Sequence, residues 1–230
     1  MEPELRLISS MAVRAMLAEL AAEYPRRGGC PVLLESVGGV DAAKRVRAGE
    51  PFDGVVLAAN AIDELIAVGR IAAGSRVDLA RAGVAVAVGS GAARPDISSE
   101  GALREAVLAA ASIAYSTGPS GVYLQRLFER WGIAGVIAAR TVQAPPGVPV
   151  GALVADGRVA LGFQQLSELM HLPGIDLVGP LPDTVQIVTV FSGGVAASSA
   201  HADAVRRLLA WIAGPDGAHA RRRHGMAEAD

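Results

Sequence analysis

Short apolar runs that read as strands alternate along the chain with stretches whose apolar residues recur at offsets of three and four. Strands joined by helices pack as parallel sheets with helices on their faces, so the alternation points to an α/β chain. Residues 5–8 read as a strand. Ser9 and Ser10 are placed to cap the helix behind it, in which Val13, Met16, Leu17 and Leu20 form an apolar stripe. Residues 31–34 are the next strand, Gly38 and Gly39 its turn, and 41–48 a helix ended by Gly49. Residues 55–58 are a third strand, after which Asn60 can cap a helix over 61–68.

Beyond residue 77 the rhythm changes. The run "GVAVAVGSG" at 83–91 reads as a strand with no short partner helix behind it. A second alternating set follows: helix 100–110, strand 112–115, helix 122–131, strand 136–142, loop 143–151, helix 150–155 and strand 159–163. Residues 166–170 are short and apolar, and the long apolar return at 184–198 precedes a last helix over 202–212. Crossings near 81–88 and 176–188 divide the chain into a discontinuous first lobe, 1–82 plus 187–230, and an inserted second lobe, 83–186. Each lobe is then a mostly parallel sheet flanked by helices, and a cleft between lobes is the natural ligand site.

With 230 residues, 51% of them hydrophobic, the chain has ample material for a buried core. A formal charge of -2 supplies no broad positive field, so nucleic acid is not an expected partner. The run Arg221, Arg222, Arg223, His224 reads as a solvated helix end. Cys30 is the single cysteine, which excludes an internal disulfide and a multi-thiolate metal site. His171, His201, His219 and His224 lack metal-ligand spacing, and there is no P-loop, no glycine fingerprint after the first strand and no G-x-S-x-G elbow. No metal and no cofactor are expected. Glu2, Glu4 and Arg6 precede only seven uncharged residues, which is unlike a secretory leader. The longest uncharged stretch, 106–125, contains a glycine-proline turn and cannot be a spanning helix. The expectation is a cytoplasmic protein without direct membrane insertion, or a periplasmic one if a signal peptide has been removed.

Four strand-to-helix junctions carry small or hydroxyl residues: Ser9 and Ser10, Gly38 and Gly39, residues 116–121 ("STGPSG"), and residues 145–151. A helix N-terminus at the carboxyl end of a strand offers unpaired N–H groups and the positive end of the helix dipole, and small residues let an anion reach them. Each hydrogen bond to a charged group contributes about 1.5–3 kcal/mol, so five or six convergent donors support micromolar affinity without an arginine. Capping alone also enriches such turns in glycine and serine. Tyr115 and Tyr123 flank the third turn, where core packing and ligand contact are both open to them.

The stretches "AAKRVRAGEPFDGVVLAAN" at 42–60, "GPSGVYLQRLFERWGI" at 118–133 and "GALVADGRVALGFQQLSEL" at 151–169 resemble, in order and spacing, the periplasmic solute-binding proteins of the molybdate-binding type. The resemblance spans nearly the whole chain. It implies a two-lobed type 2 periplasmic-binding fold that grips an oxyanion through serine hydroxyls and backbone N–H groups, with a tyrosine completing the shell. Position by position it places contacts on Ser9 and Ser10, on Gly38 and Gly39, on Ser120 with Gly121, and on the backbone near Val148. The tyrosine's place falls on Gln165. The second turn, "SVGGVD", is glycine where molybdate binders are rich in serine. Both departures favour a larger organic carboxylate, which Gln164 and Gln165 suit as amide donors and acceptors.

The same fold hosts an aconitate isomerase, which moves a double bond within a tricarboxylate. Such chemistry needs donors for carboxylates and a base beside them. Glu168, Tyr123, Glu35 and His171 are the candidate bases. The function expected is therefore binding, and isomerisation, of a small polycarboxylate. The alternative is the molybdate or oxyanion receptor of an ABC importer, with a permease partner only if the protein is exported.

Overall fold

The computed structural model describes residues 3–145 and 147–229. In chain order the elements begin β1 (Leu5–Ser10), α1 (Arg14–Glu23), β2 (Val32–Val37), α2 (Gly39–Ala48), β3 (Gly54–Ala58), α3 (Ala59–Ala67) and β4 (Val77–Gly89). Then come α4 (Glu100–Ala109), β5 (Ile113–Tyr115), α5 (Pro119–Arg130), α6 (Ala134–Ile137), β6 (Thr141–Gln143), α7 (Val150–Ala155), β7 (Leu161–Gln165) and α8 (Leu166–Leu169). The chain closes with β8 (Ile175–Pro180), β9 (Val188–Val195), α9 (Ala202–Ala213) and α10 (Pro215–Arg223). Two compact units result, Met1–Ala82 with Thr189–Asp230, and Gly83–Val188.

In the first unit β1 lies between β2 and β3, parallel to both, and β3 pairs antiparallel with β9. Successive side chains on a strand face opposite ways. Leu5 and Leu7 accordingly join a core with Leu17 and Leu20 of α1 and Val205, Leu208 and Leu209 of α9. Ile8, out of phase with them, enters the other core with Val46 of α2 and Ile62 and Leu65 of α3. Burial on both faces explains the near-continuous apolar runs. The parallel register leaves the carboxyl ends of β1, β2 and β3 side by side, with Ser9 opposite Ser36 and Val56.

The second unit repeats the plan. β5 is parallel to β6 and β7, while β4 runs antiparallel to β7 and β8. Val84, Val86 and Val88 of β4 pack with Leu103 of α4 and Leu124, Leu127 and Phe128 of α5, whereas Ala85 and Ala87 meet Leu169 of α8 on the other face.

Two sequence expectations are corrected. Residues 136–142 are not one strand: α6 and a 3-10 turn over Ala138–Arg140 occupy most of it. The Arg140 guanidinium donates to the carbonyls of Leu108 and Ala110 at the end of α4, a tertiary tie that outweighs the β preference of Val136 and Ile137. The run at 221–224 is corrected at one position: Arg222 and Arg223 are exposed at the end of α10, as expected, whereas Arg221 is buried at the junction of α9 and α10.

Gln186 completes the strand edge at Val84 with its side chain. Its Oε1 accepts from the N–H groups of Val84 and Ile187, and its Nε2 donates to the carbonyls of Val84 and Leu181. Replacing it with leucine strands the Val84 N–H, while the Val84 carbonyl keeps the Leu181 N–H, at an expected cost of about 1–3 kcal/mol, read as a lower denaturant midpoint.

Candidate functional site

In the first unit three helical segments start where parallel strands end. The chain leaves β1 into a 3-10 turn at Met11–Val13 and into α1, leaves β2 into α2, and leaves β3 into α3. None of these starts has a side-chain cap: Ser10, Gly38 and Ala58 hold the N-cap positions and make no capping hydrogen bond. Their first-turn N–H groups are left without intrahelical partners, as at any helix start. Asn60 lies inside α3 rather than capping it.

Ser9 and Ser10, expected as caps, do something else. The Ser9 hydroxyl donates to the Ser10 carbonyl at 3.2 Å and lies 2.8 Å from the Ser36 hydroxyl, which is therefore the donor of that pair. Ser10 is 7% exposed, and its Oγ is buried without a hydrogen-bond partner. A side chain at Gly39 would place its Cβ 3.5 Å from the Cβ of Ser10, so this hydroxyl abuts the start of α2. A buried hydroxyl without a partner costs free energy that a ligand oxygen restores.

In the second unit α5 starts after β5, with Pro119 in its first turn, three residues earlier than the sequence suggested. Ser120 is buried, its hydroxyl 3.3 Å from that of Ser116. Gly121 is required: a Cβ there would sit 1.7 Å from the Ser116 carbonyl oxygen. α7 starts behind Pro149, and α8 follows β7 directly. The Val148 N–H, expected as a ligand donor, is already spent on the Pro145 carbonyl at 3.0 Å.

Gln164 and Gln165 end β7 and are buried. The Gly151 N–H donates to Gln164 Oε1 at 3.1 Å, and Gln164 Nε2 donates to Glu168 Oε1 at 2.7 Å. Desolvation raises the Glu168 carboxyl from 4.5 to about 7, against the lowering effect of the Gln164 donor. Ser167, beside it, is 8% exposed, and its Oγ too is buried without a partner.

The other candidate bases lie in different surroundings. Glu35 is exposed and ion-paired to Arg45, whose hydrogen bonds hold its carboxyl below the usual range. Tyr123 donates its hydroxyl to the Val185 carbonyl at 3.1 Å. His171 is exposed. The structure thus groups Ser9, Ser10, Gly38 and Gly39 at one set of strand ends, and Ser120, Gly121, Gln164, Gln165 and Glu168 at the ends of β5 and β7. Ser36 and Ser167 were missed, although each sits within two residues of a strand's end, the same signal that marked Ser9 and Ser10.

Among the described residues no group of three or more histidine, cysteine or acidic side chains could hold a metal, and no helix is long and apolar enough to cross a membrane.

A mostly parallel α/β chain of two lobes, with helix starts gathered at strand ends in each, is a solute-binding fold. The chain matches the bacterial extracellular solute-binding proteins over residues 5–227 and belongs to that family. It is 40% identical over 222 residues to an aconitate isomerase of a Pseudomonas species, covering 94% of this chain and 84% of that one. The periplasmic molybdate-binding protein of Azotobacter vinelandii shares the fold, with a TM-score of 0.81 at 19% identity over 98% of this chain and 100% of that one. So does a sulfate-binding protein of Mycobacterium tuberculosis, at 0.79 and 12% identity over 100% of this chain and 88% of that one.

Proposed function

We propose that the protein isomerises a small unsaturated polycarboxylate, aconitate being the reference substrate, with Glu168 as the base. The carrying observation is the Glu168 carboxyl, raised to about 7 by burial and set one helical turn past the end of β7. A receptor has no need of such a group, whereas a base that works near neutrality does. The 40% identity to an aconitate isomerase supports the same reading.

In the reaction, ionised Glu168 takes a proton from a carbon next to a carboxylate and allylic to the double bond. The C–H electron pair delocalises through the alkene onto carboxylate oxygens. Glu168 then returns that proton to the far carbon of the allylic unit, the double bond shifts by one position, and the carboxylate is regenerated. Carboxylate charge grows in the transition state, so hydrogen bonds from the uncapped N–H groups at the starts of α5 and α8 and from the Ser167 hydroxyl strengthen there. Neither metal nor redox partner is required for the balance.

Incubating the protein with one aconitate isomer and following the other by NMR tests the reading, and no conversion at micromolar enzyme overturns it. In the same assay Ser167→Ala is expected to raise KM or lower kcat/KM about tenfold, the value of one hydrogen bond to a charged group. Its melting temperature without ligand should stay level or rise, since an unsatisfied buried hydroxyl is removed.

The fold family favours a second reading, a receptor that delivers an oxyanion or carboxylate to an ABC permease. That role requires a protein outside the inner membrane. Subcellular fractionation that finds it in the cytoplasm removes the receptor reading and leaves the isomerase intact.

A further inference from the structure

Gln164 lies with 3% of its surface exposed, between a backbone donor and a carboxyl. The Gly151 N–H has no proton to accept and one to give, so the amide atom facing it is the oxygen. The other end of the amide, an NH2 group, is thereby turned to Glu168 Oε1, at 2.7 Å. Amide orientation is usually free to adapt, but here a main-chain group settles it. α7 packs closely where Gly151 meets Gln164, since a Cβ there would lie 2.9 Å from Leu172 Cδ2 and 3.0 Å from Leu169 Cδ2.

An NH2 group can donate to a carboxylate oxygen and cannot accept from a carboxylic acid. Oε1 of Glu168 therefore cannot carry a proton toward Gln164. We infer that Gln164 is a positioning residue: held by the Gly151 N–H, it reserves Glu168 Oε1 as an acceptor, confines the transferable proton to Oε2, and favours the ionised form. This rests on Glu168 being the base of the proposed reaction.

The charged groups around Glu168 leave this bond as the adjustable influence. α7, β7 and α8 carry no other charged side chain. On β8, Asp176 accepts from the Gly91 N–H at 3.2 Å and pairs with Arg94 at 3.7 Å. His171, just past α8, is exposed. Burial pushes the carboxyl up and the Gln164 donor alone pulls it back.

The test is the titration of Glu168 in the unliganded protein, by carbon NMR of labelled glutamate carboxyls assigned through Glu168→Gln. Gln164→Leu removes the donor and is expected to move that titration upward by about one to two pH units, the size of a lost charge-assisted hydrogen bond. Gln164→Glu keeps an acceptor for Gly151 but sets a carboxylate against Glu168, and should move it upward at least as far. The alkaline-rising limb of kcat should shift by the same interval in each variant, so that activity lost at pH 7 is largely regained at pH 9. A Glu168 titration within 0.3 pH units of the parent in either folded variant overturns the inference, the threshold being about a third of the smallest shift expected. Should the parent fail to turn over aconitate, the reading of Glu168 as a base falls, while the carboxyl titration still decides the role of Gln164.

Discussion

Glu168→Gln is expected to lower kcat by about 10²–10⁴-fold with little change in KM, and at the same time to make the protein more stable above pH 7. Loss of turnover follows from removal of the base by a near-isosteric group whose Oε1 still accepts from Gln164 Nε2, so the local structure survives. The gain in stability follows from linkage. The folded carboxyl titrates at about 7 against 4.5 for an ordinary glutamate, so between those values the folded state binds more protons than the unfolded one. Stability then falls as pH rises through that window, and above pH 7 the parent bears a penalty of up to about 3 kcal/mol that a neutral glutamine does not. Parent activity should rise with pH through about 7, because the base works only when ionised. Steady-state kinetics and melting curves at pH 5 and pH 8 check all three. A variant within tenfold of the parent's kcat would remove Glu168 from the chemistry, whatever its effect on stability.

The fold was legible because its two signals are physically strong. Runs such as 54–58 are apolar on both faces because both faces are buried, and helices such as α2 end at Gly49, whose φ of +88° suits a glycine. Where local preference and tertiary contact disagree, the sequence misled: Val136 and Ile137 look like a strand, but Arg140 ties the segment to the end of α4 in a helical form. The site was legible only as a set of strand ends. That Ser9 and Ser10 lie there follows from the strand pattern, but whether they cap a helix or leave a hydroxyl without a partner depends on rotamers and on the approach of Gly39, which no spacing encodes. Among four candidate bases, spacing offered no ranking. Burial separates them, since Glu35 is exposed and held ionised by Arg45, whereas Glu168 sits against α7 and β7 with one amide for company.

Arg221→Met is expected to destabilise the first unit by about 2–4 kcal/mol, a fall of roughly 4–16 °C in the melting transition of a chain this size. The side chain is 2% exposed, and its guanidinium donates to the Ile212 carbonyl at 2.6 Å and the Gly214 carbonyl at 3.1 Å. The Ile212 carbonyl lies in the last turn of α9, where backbone carbonyls lack intrahelical partners, while that of Gly214 also accepts from the Gly217 N–H at 3.2 Å. A buried ion pair can often be exchanged for apolar residues without loss, because both charges leave together. Here the partners are mostly main-chain carbonyls: that of Ile212 remains in place and loses this donor when the arginine goes, that of Gly214 keeps the Gly217 N–H, and Glu228, 3.5 Å away, loses a cation. Nor can a neighbouring residue take over, because α10 lies so close that a Cβ at Gly217 would sit 2.0 Å from the Ile212 carbonyl oxygen. Lysine should recover part of the loss, since it keeps the charge but lacks the planar fork that reaches two carbonyls at once. Urea unfolding of parent, Arg221→Met and Arg221→Lys gives the order, and a methionine variant within 1 kcal/mol of the parent would show that the Ile212 carbonyl finds another donor, because the loss of even one charge-assisted hydrogen bond exceeds that.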